Sequence, residues 1–182
     1  MFFYVSFKKI VSYTLPKLRM PQLKISLFLL LFPILSFGQN KSIDKLLQTY
    51  NSRSVPYISV QELKMKSDTY IIIDTRKKEE FEVSHIPNSI WVGEKPERNL
   101  LKSYLNLKKT IVVYCTVGIR SEDYGEKLNK EFQGQIYNLY GGIFAWKDAG
   151  YALRDSKNKS TIRVHTFSKN WEDYLKTGIA VH

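Results

Sequence analysis

The sequence has one cysteine, Cys115, among its 182 residues. A single cysteine cannot form a disulfide within the chain, so a fold held together by internal disulfides is excluded. The thiol is therefore either free or paired with another molecule. A lone cysteine is a candidate reactive thiol, although buried cysteines are also common as small, inert apolar residues.

Acidic residues are absent from residues 1–38, which hold five of the 28 basic residues. The rest of the chain has 23 basic and 17 acidic residues, which gives it a net charge of +6. These charges are dispersed, and no block of lysine or arginine stands out. The composition therefore argues against a nucleic-acid-binding surface, and we expect no nucleic-acid partner.

The sequence also lacks an apolar run as long as a comfortable membrane span, which needs about 20 residues. The apolar run over residues 25–35 follows Lys24 and is closed by Ser36-Phe37-Gly38, with small residues at the −3 and −1 positions before Gln39. This pattern predicts a secretory signal peptide over residues 1–38. We expect an exported protein, periplasmic or secreted, with no membrane association after cleavage. An uncleaved N-terminal anchor helix is the alternative reading.

The start of the chain has two interpretations. Residues 1–19 carry four basic residues and no acidic ones in front of the predicted signal peptide. They are either an extended basic region of that peptide or an over-long N-terminus, with Met20 as the true initiator.

Short apolar strands alternate with amphipathic segments from Tyr57 to Gly150. This alternation predicts an α/β fold, in which helices cover both faces of a parallel sheet. The strands are predicted over residues 57–60, 70–74, 89–92, 110–114 and 136–139. Helices are predicted over residues 42–50, 61–66, 77–83, 100–107, 121–132 and from 144 to near 150.

Cys115 stands between a β-branched strand and an amphipathic helix. The free N–H groups and the dipole at the start of a helix favour an anion in such a turn. Open parallel sheets bind ligands beyond the carboxyl ends of their strands, where both Cys115 and Asp74 are predicted to lie. Gly118 and Arg120 follow in the turn, as suits a loop that holds an anion. We therefore interpret Cys115 as a reactive thiol.

Three separated segments of the chain resemble the signatures of rhodanese-like domains. Their order and spacing agree with that family over about residues 57–150. The segments are Asp74-Thr75-Arg76 with Glu80-Phe81 and residues 84–90, then Cys115 to Ser121, then residues 139–146 with Gly150. Position 84 departs mildly from the family, which usually has glycine before the histidine.

The resemblance implies a three-layer α/β/α domain with a central five-stranded parallel sheet over residues 57–154. Residues 39–56 are expected to form an N-terminal helix and linker. Residues 155–159 are expected to be a polar linker at the start of a C-terminal extension over residues 155–182. We predict that this extension packs on the domain, because it contains Val164, Phe167, Trp171, Tyr174 and Leu175.

The resemblance also implies sulfurtransferase chemistry, with Cys115 carrying a sulfane sulfur as a persulfide. The partners would be a small-molecule sulfur donor and a thiol or cyanide acceptor, with a protein thiol as another option. No metal or cofactor is expected. The implied persulfide-binding loop comprises Thr116, Val117, Gly118, Ile119, Arg120 and Ser121.

The side chains around this loop receive expected roles from the same resemblance. Asp74 and Arg76 are expected to support the loop. Arg120 is expected to brace it through a carboxylate such as Asp74, although it could instead bind the oxyanion of a donor. His85 is expected to be structural rather than a general base. The neutral side chains of Thr116 and Val117 argue against efficient use of thiosulfate, so a thiol persulfide or protein donor is a reasonable alternative.

Other functions remain as alternatives. Related phosphatases and arsenate reductases place an arginine six positions after the cysteine, whereas Arg120 is five positions after Cys115. The shorter loop favours sulfur over phosphate. A non-catalytic interaction module is a second alternative, against which the intact cysteine argues. A thiol redox carrier is disfavoured because no second cysteine is available to resolve a disulfide.

Overall fold

The computed structural model describes residues 41–96 and 109–182, together with Leu101, Ser103 and Tyr104. The predicted signal peptide, both candidate starts and Gln39 lie outside the described residues. The predicted helix over residues 100–107 also lies mostly outside them, and its three described residues are helical.

Five parallel strands form the central sheet in the order β1-β5-β4-β2-β3. The register pairs Asp74 with Tyr114 and Val113 with Asn138, so the carboxyl ends of the three inner strands meet at one edge. Cys115 follows β4 at this edge. The strands are β1 (Tyr57–Ile58), β2 (Ile71–Asp74), β3 (Ile90–Trp91), β4 (Ile111–Tyr114) and β5 (Ile136–Leu139).

Helices lie in the connections between these strands, before the first strand and after the fifth. They are α1 (Ile43–Tyr50), α2 (Val60–Met65), α3 (Lys78–Val83), α4 (Arg120–Asn129) and α5 (Gly142–Asp148), with a 3₁₀ turn over Ser67–Thr69. Within the described part of the chain, none of the helices is both long and apolar enough to span a membrane.

The first strand is shorter than predicted because a helix cap interrupts it. The hydroxyl of Ser59 accepts a hydrogen bond from the backbone N–H of Glu62 at 3.1 Å, as an N-cap residue does. Val60 therefore begins α2 instead of ending β1. At the other end of the domain, Gly141 adopts a left-handed conformation and starts α5 at Gly142, two residues before the predicted Phe144.

Successive residues of the central strands are buried in two separate hydrophobic clusters. Ile72 and Val112 belong to the cluster that includes Phe144 of α5. Ile73 and Val113 belong to the cluster that includes Leu128 of α4. Both faces of the sheet are thus covered, which confirms the predicted α/β fold with a five-stranded parallel sheet.

The C-terminal extension has secondary structure that the sequence pattern did not predict. Residues 155–159 form the turn of a β-hairpin rather than a free linker. The Asp155 carboxylate accepts the backbone N–H groups of Lys157 and Lys159 at 2.9 and 2.8 Å. The added elements are β6 (Leu153–Arg154) antiparallel to β7 (Ser160–Thr161), β8 (Arg163–His165) parallel to β9 (Ile179–Val181), and a 3₁₀ helix over Lys169–Tyr174.

The extension contributes side chains to the domain core. Val164 is fully buried in the same cluster as Phe144, and Trp171, Tyr174 and Leu175 pack partly buried against that cluster. Phe167 differs from these residues because its side chain is 45% exposed.

The packing of β8 can be tested by truncating Val164. We expect Val164→Ala to lower the free energy of unfolding by about 2 kcal/mol, because two buried methyl groups are removed and a cavity remains. Ile162→Ala is the matched control, since Ile162 is 56% exposed. It should change stability by no more than about 0.5 kcal/mol. Urea unfolding of both variants measures the difference, and equal losses would contradict the packing of the extension.

Candidate active site

Cys115 lies directly after β4, with only 1% of its surface exposed. Its Sγ receives the backbone N–H of Gly118 at 3.2 Å, and the hydroxyl of Ser121 lies 3.5 Å from it. Residues 115–119 form a tight loop between β4 and α4, which we call the cysteine loop. The sulfur therefore lies inside a turn of the backbone, where the Gly118 N–H points toward it.

Gly118 allows the tight curvature of the cysteine loop. Its φ is +106°, a region that side chains other than hydrogen rarely permit. A Cβ at this position would also approach the carbonyl oxygen of Leu139 to 3.3 Å. The glycine is thus required both by its own conformation and by the neighbouring strand.

The first turn of α5 holds the loop from outside. The backbone N–H groups of Ile143 and Phe144 donate to the carbonyl oxygens of Cys115 and Thr116 at 2.9 and 3.2 Å. This approach requires Gly142, because a Cβ there would lie 2.3 Å from the carbonyl oxygen of Cys115. The glycine pair of the third signature therefore supports the cysteine loop directly.

Asn138 of β5 is a site residue that the sequence analysis missed. It is fully buried, and its Nδ2 donates to the carbonyl oxygen of Gly118 at 2.7 Å. Its Oδ1 accepts the hydroxyl of Ser121 at 2.7 Å. Asn51, beyond α1, donates to the same Gly118 carbonyl at 2.9 Å. The sequence did hold one indication of this role, because Asn138 is a polar residue in an otherwise apolar strand and a buried amide requires hydrogen-bond partners.

Arg120 braces the loop, but its carboxylate partner is Glu80 and not the expected Asp74. The guanidinium binds both carboxylate oxygens of Glu80 at 2.8 Å and the hydroxyl oxygen of Thr116 at 2.7 Å. The Thr116 hydroxyl in turn donates to Glu80 at 3.1 Å. Asp74 is not available because Arg76 already binds both of its oxygens.

Charge and burial act in opposite directions on this ion pair. Burial alone raises the pKa of Glu80, but the hydrogen bonds and charge of Arg120 outweigh burial and hold that pKa below its usual value of 4.5. Burial disfavours the charged form of Arg120, yet the hydrogen bond to Glu80 and the charge of Cys115 raise its pKa. Both groups are therefore ionised at neutral pH.

Asp74 and Arg76 form a fully buried ion pair at 2.7 Å behind the loop. The guanidinium of Arg76 donates hydrogen bonds to both carboxylate oxygens of Asp74. It also donates to the carbonyl oxygen of Ser84 at 2.7 Å. Thr75 between them contacts the backbone before the cysteine directly, since its N–H and hydroxyl both donate to the Tyr114 carbonyl at 3.0 Å. Loop support by Asp74 and Arg76 stays a prediction.

The structure places Val117 and Ile119 at the mouth of the cysteine loop, whereas His85 lies outside this site. Val117 and Ile119 line a cavity together with Cys115. His85 borders a separate depression, where its ring stacks on Phe81 with 4.0 Å between ring centroids. Its Nδ1 lies 3.1 Å from the Phe81 carbonyl oxygen. Ser84 has an extended φ of −167°, which any residue adopts, so glycine is not needed there.

The described residues contain no group of three or more His, Cys, Asp or Glu side chains placed to hold a metal ion. The chemical groups that the site offers are a thiol, backbone N–H groups, hydroxyls and an arginine already bound to a carboxylate. Such a site can stabilise negative charge on sulfur.

A parallel α/β domain with a cysteine loop clamped between β4, α4 and α5 is the architecture of a known class. The family model of the rhodanese-like domain matches residues 59–149, which is half of the chain. The protein belongs to the rhodanese-like domain family.

The individual relatives have low sequence identity to this chain. The thiosulfate sulfurtransferase GlpE of Coxiella burnetii is 26% identical over 95 residues, which span 52% of this chain and 87% of that protein. A tRNA uridine(34) hydroxylase of Buchnera aphidicola is 33% identical over 109 residues, which span 56% of this chain but only 33% of the hydroxylase. The rhodanese-like domain of an Anabaena protein shares the fold, with a TM-score of 0.51 and 20% identity over 55% of this chain and 79% of that domain.

The Glu80–Arg120 pair generates a pH-dependent prediction. Because the pKa of Glu80 is lower in the folded than in the unfolded chain, the pair stabilises the fold above pH 4.5, and this stabilisation is lost as pH falls through the folded-state pKa. Glu80→Gln should lower the free energy of unfolding by about 1–3 kcal/mol at pH 7 and should flatten the acid dependence.

Glu79→Gln is the matched control, because Glu79 is exposed on the same helix. Urea unfolding at several values between pH 3 and pH 7 provides the comparison. If Glu80→Gln follows the wild-type pH dependence, the ion pair does not stabilise the fold as described.

Proposed function

We propose that this protein is a rhodanese-type sulfurtransferase that carries a sulfane sulfur as a persulfide on Cys115. The main support is the position of Sγ, which accepts the Gly118 N–H at 3.2 Å inside the cysteine loop. The donor is thiosulfate or a thiol persulfide, and the acceptor is a thiol or cyanide.

Each half of the reaction is a displacement at sulfur. The Cys115 thiolate attacks the terminal sulfur of the donor, a new S–S bond forms, and the electron pair of the broken bond leaves with the rest of the donor. The acceptor then attacks the outer sulfur, and the thiolate is regenerated. Backbone N–H groups stabilise the negative charge on sulfur in both persulfide and thiolate without a titrating base. This scheme is ping-pong.

Two features favour sulfur transfer over phosphate chemistry. Arg120 comes five positions after Cys115, so the loop is one residue shorter than in the phosphatases considered above. Its guanidinium is also bound on both sides of its fork by Glu80, which leaves it poorly suited to hold a tetrahedral oxyanion.

A non-catalytic interaction module is the remaining alternative. The intact cysteine argues against it, because binding through the fold alone does not require a thiol inside the cysteine loop. The name of the relative from Coxiella burnetii, a thiosulfate sulfurtransferase, agrees with the proposed reaction class.

We also propose that the protein is exported and works outside the cytoplasm. The support is the sequence pattern of residues 1–38. N-terminal sequencing of the native protein should find Gln39, or a residue next to it, as the first residue. A mature protein that begins at Met1 or Met20 would contradict export by a cleaved signal.

The role of Cys115 can be tested by an isosteric substitution. Cys115→Ser should abolish sulfur transfer, because a hydroxyl cannot hold a sulfane sulfur, while the fold is retained. Thiocyanate formation from cyanide measures turnover, and intact mass after donor treatment measures the gain of one sulfur atom. Thermal unfolding verifies that the variant is folded.

Ser89→Ala is a control for loss of a small polar group, since Ser89 contacts the Tyr114 hydroxyl and not the cysteine loop. It should retain turnover. Equal rates for wild type and Cys115→Ser would remove Cys115 from the mechanism. Hydrolysis of an aryl phosphate faster than any sulfur transfer would replace the proposed function with phosphatase activity.

A further inference from the structure

A cavity of about 600 Å³ lies beside Cys115, and much of its wall comes from outside the segment that the family model matches, residues 59–149. The lining includes the loop residues already described. Six of the eleven lining residues fall before or after residues 59–149 and come from α1 and the C-terminal extension: Leu46, Tyr50, Phe167, Asn170, Trp171 and Tyr174. Four of these six are aromatic.

The cavity is much larger than an inorganic donor requires. At roughly 20–30 Å³ for each water-sized group, an ion with five heavy atoms fills on the order of 100–150 Å³. The volume of about 600 Å³ instead falls within the range of sites for organic ligands. The aromatic wall would bury apolar surface of such a ligand.

The charged groups at the cavity do not favour the binding of a dianion such as thiosulfate. Among the residues that the structure describes, Arg120 is the only charged one that lines it. Both carboxylate oxygens of Glu80 bind its guanidinium, and Glu94 lies 3.5 Å from Nη1. Two carboxylates thus surround one guanidinium, so no net positive charge remains to attract thiosulfate.

The lysines near this wall contact it from other sides. Lys77 lies 5.4 Å from the ring of Phe167, and Lys41 lies 5.5 Å from the ring of Tyr174 while paired with Asp173 at 2.9 Å. Neither lysine lines the cavity. The wall that a bound molecule would contact is therefore mainly aromatic and aliphatic.

Phe167 is held in place at a conformational cost. Its φ of 66° lies in the left-handed region, which is unfavourable for a residue with a large side chain. The backbone N–H donates to Nδ1 of His165 at 3.0 Å, and the ring lies 4.9 Å from the Arg120 guanidinium. The fold thus maintains a partly exposed aromatic ring over the active-site arginine.

We propose that this cavity binds the apolar body of an organic sulfane-sulfur donor that carries at most one negative charge, and that it discriminates against thiosulfate. The proposal rests on the sulfurtransferase function proposed above and specifies its substrate class. For a persulfide donor, R–S–SH and the Cys115 thiolate give Cys115–S–SH and R–S⁻. One S–S bond forms, one breaks, and the electron pair leaves with R–S⁻.

The burial of Cys115 restricts how such a donor can approach. Because the residue is only 1% exposed, a donor must present its transferable sulfur as a narrow terminal atom. The body R then remains in the cavity, against Tyr50 and Trp171. A terminal sulfane sulfur on an apolar body meets both requirements.

Three donors that share a terminal sulfane sulfur test this proposal: thiosulfate, methanethiosulfonate and benzenethiosulfonate. Each thiosulfonate R–SO₂–S⁻ reacts with the Cys115 thiolate to give the persulfide and R–SO₂⁻, and cyanide then takes the sulfur as thiocyanate. We expect kcat/KM of the full mature chain to rise in the order given. Benzenethiosulfonate should exceed thiosulfate by about tenfold or more, the effect of burying one ring.

Variants of the wall separate binding from intrinsic donor reactivity. Trp171→Ala and Tyr50→Ala should each lower the ratio of kcat/KM for benzenethiosulfonate to that for thiosulfate by about fivefold to tenfold, mainly through KM. Tyr50 is 66% exposed, so its variant tests the proposal even if Trp171→Ala fails to fold. Gln48→Ala is the matched control on α1, because Gln48 is exposed and does not line the cavity. It should preserve the ratio.

The outcomes distinguish this proposal from the function on which it rests. If no donor adds sulfur to Cys115 by intact mass, the sulfurtransferase function is wrong and the cavity proposal fails with it. If sulfur is transferred but thiosulfate is the best donor, the cavity proposal alone is overturned. It is also overturned if Tyr50→Ala is folded and leaves the donor ratio unchanged.

Discussion

The orientation of the peptide groups in the cysteine loop is the constraint on which the site depends. The carbonyl oxygens of Cys115, Thr116 and Gly118 bind groups outside the loop, supplied by α5, β5 and Asn51. With these acceptors satisfied outside, the loop can turn the Gly118 N–H toward the sulfur. The glycines, the buried Asn138 and the parallel register of the sheet all serve this arrangement. The site is thus a property of backbone geometry more than of reactive side chains.

The cysteine loop and the aromatic wall of the cavity come from different parts of the chain. The cysteine loop and its supports lie within the family segment, residues 59–149. The aromatic wall comes largely from α1 and the C-terminal extension. Arg120 joins the two parts, because it binds Glu80 beneath the loop and lies under the ring of Phe167. Domains that keep the same loop but carry different extensions can therefore offer different surroundings to the same reactive sulfur.

The sequence was sufficient for the sheet and for the position of Cys115, because β-branched runs such as Ile71–Asp74 and Ile111–Tyr114 are buried on both faces. It was not sufficient to predict which residues of distant elements contact one another. Asp74 was the carboxylate expected to bind Arg120, and only the structure shows that Arg76 saturates Asp74 and that Glu80 binds Arg120 instead. The strands of the extension have two or three residues each, too few for a period to be recognised. The role of Asn138 depended on register, which a single sequence does not reveal.

The hydrogen bonds that close the cysteine loop also make the site depend on distant parts of the chain. Gly118 binds Asn51 across 67 positions of the chain, and Arg120 binds Glu80 across 40. Closing loops of this length costs chain entropy, so these contacts depend on the docking of the elements that carry them. Until α1, α3 and β5 have docked, Cys115 is an ordinary thiol on a flexible chain. The environment of the thiol therefore depends on tertiary structure, and partial unfolding of any of these elements would remove it while leaving the cysteine itself intact.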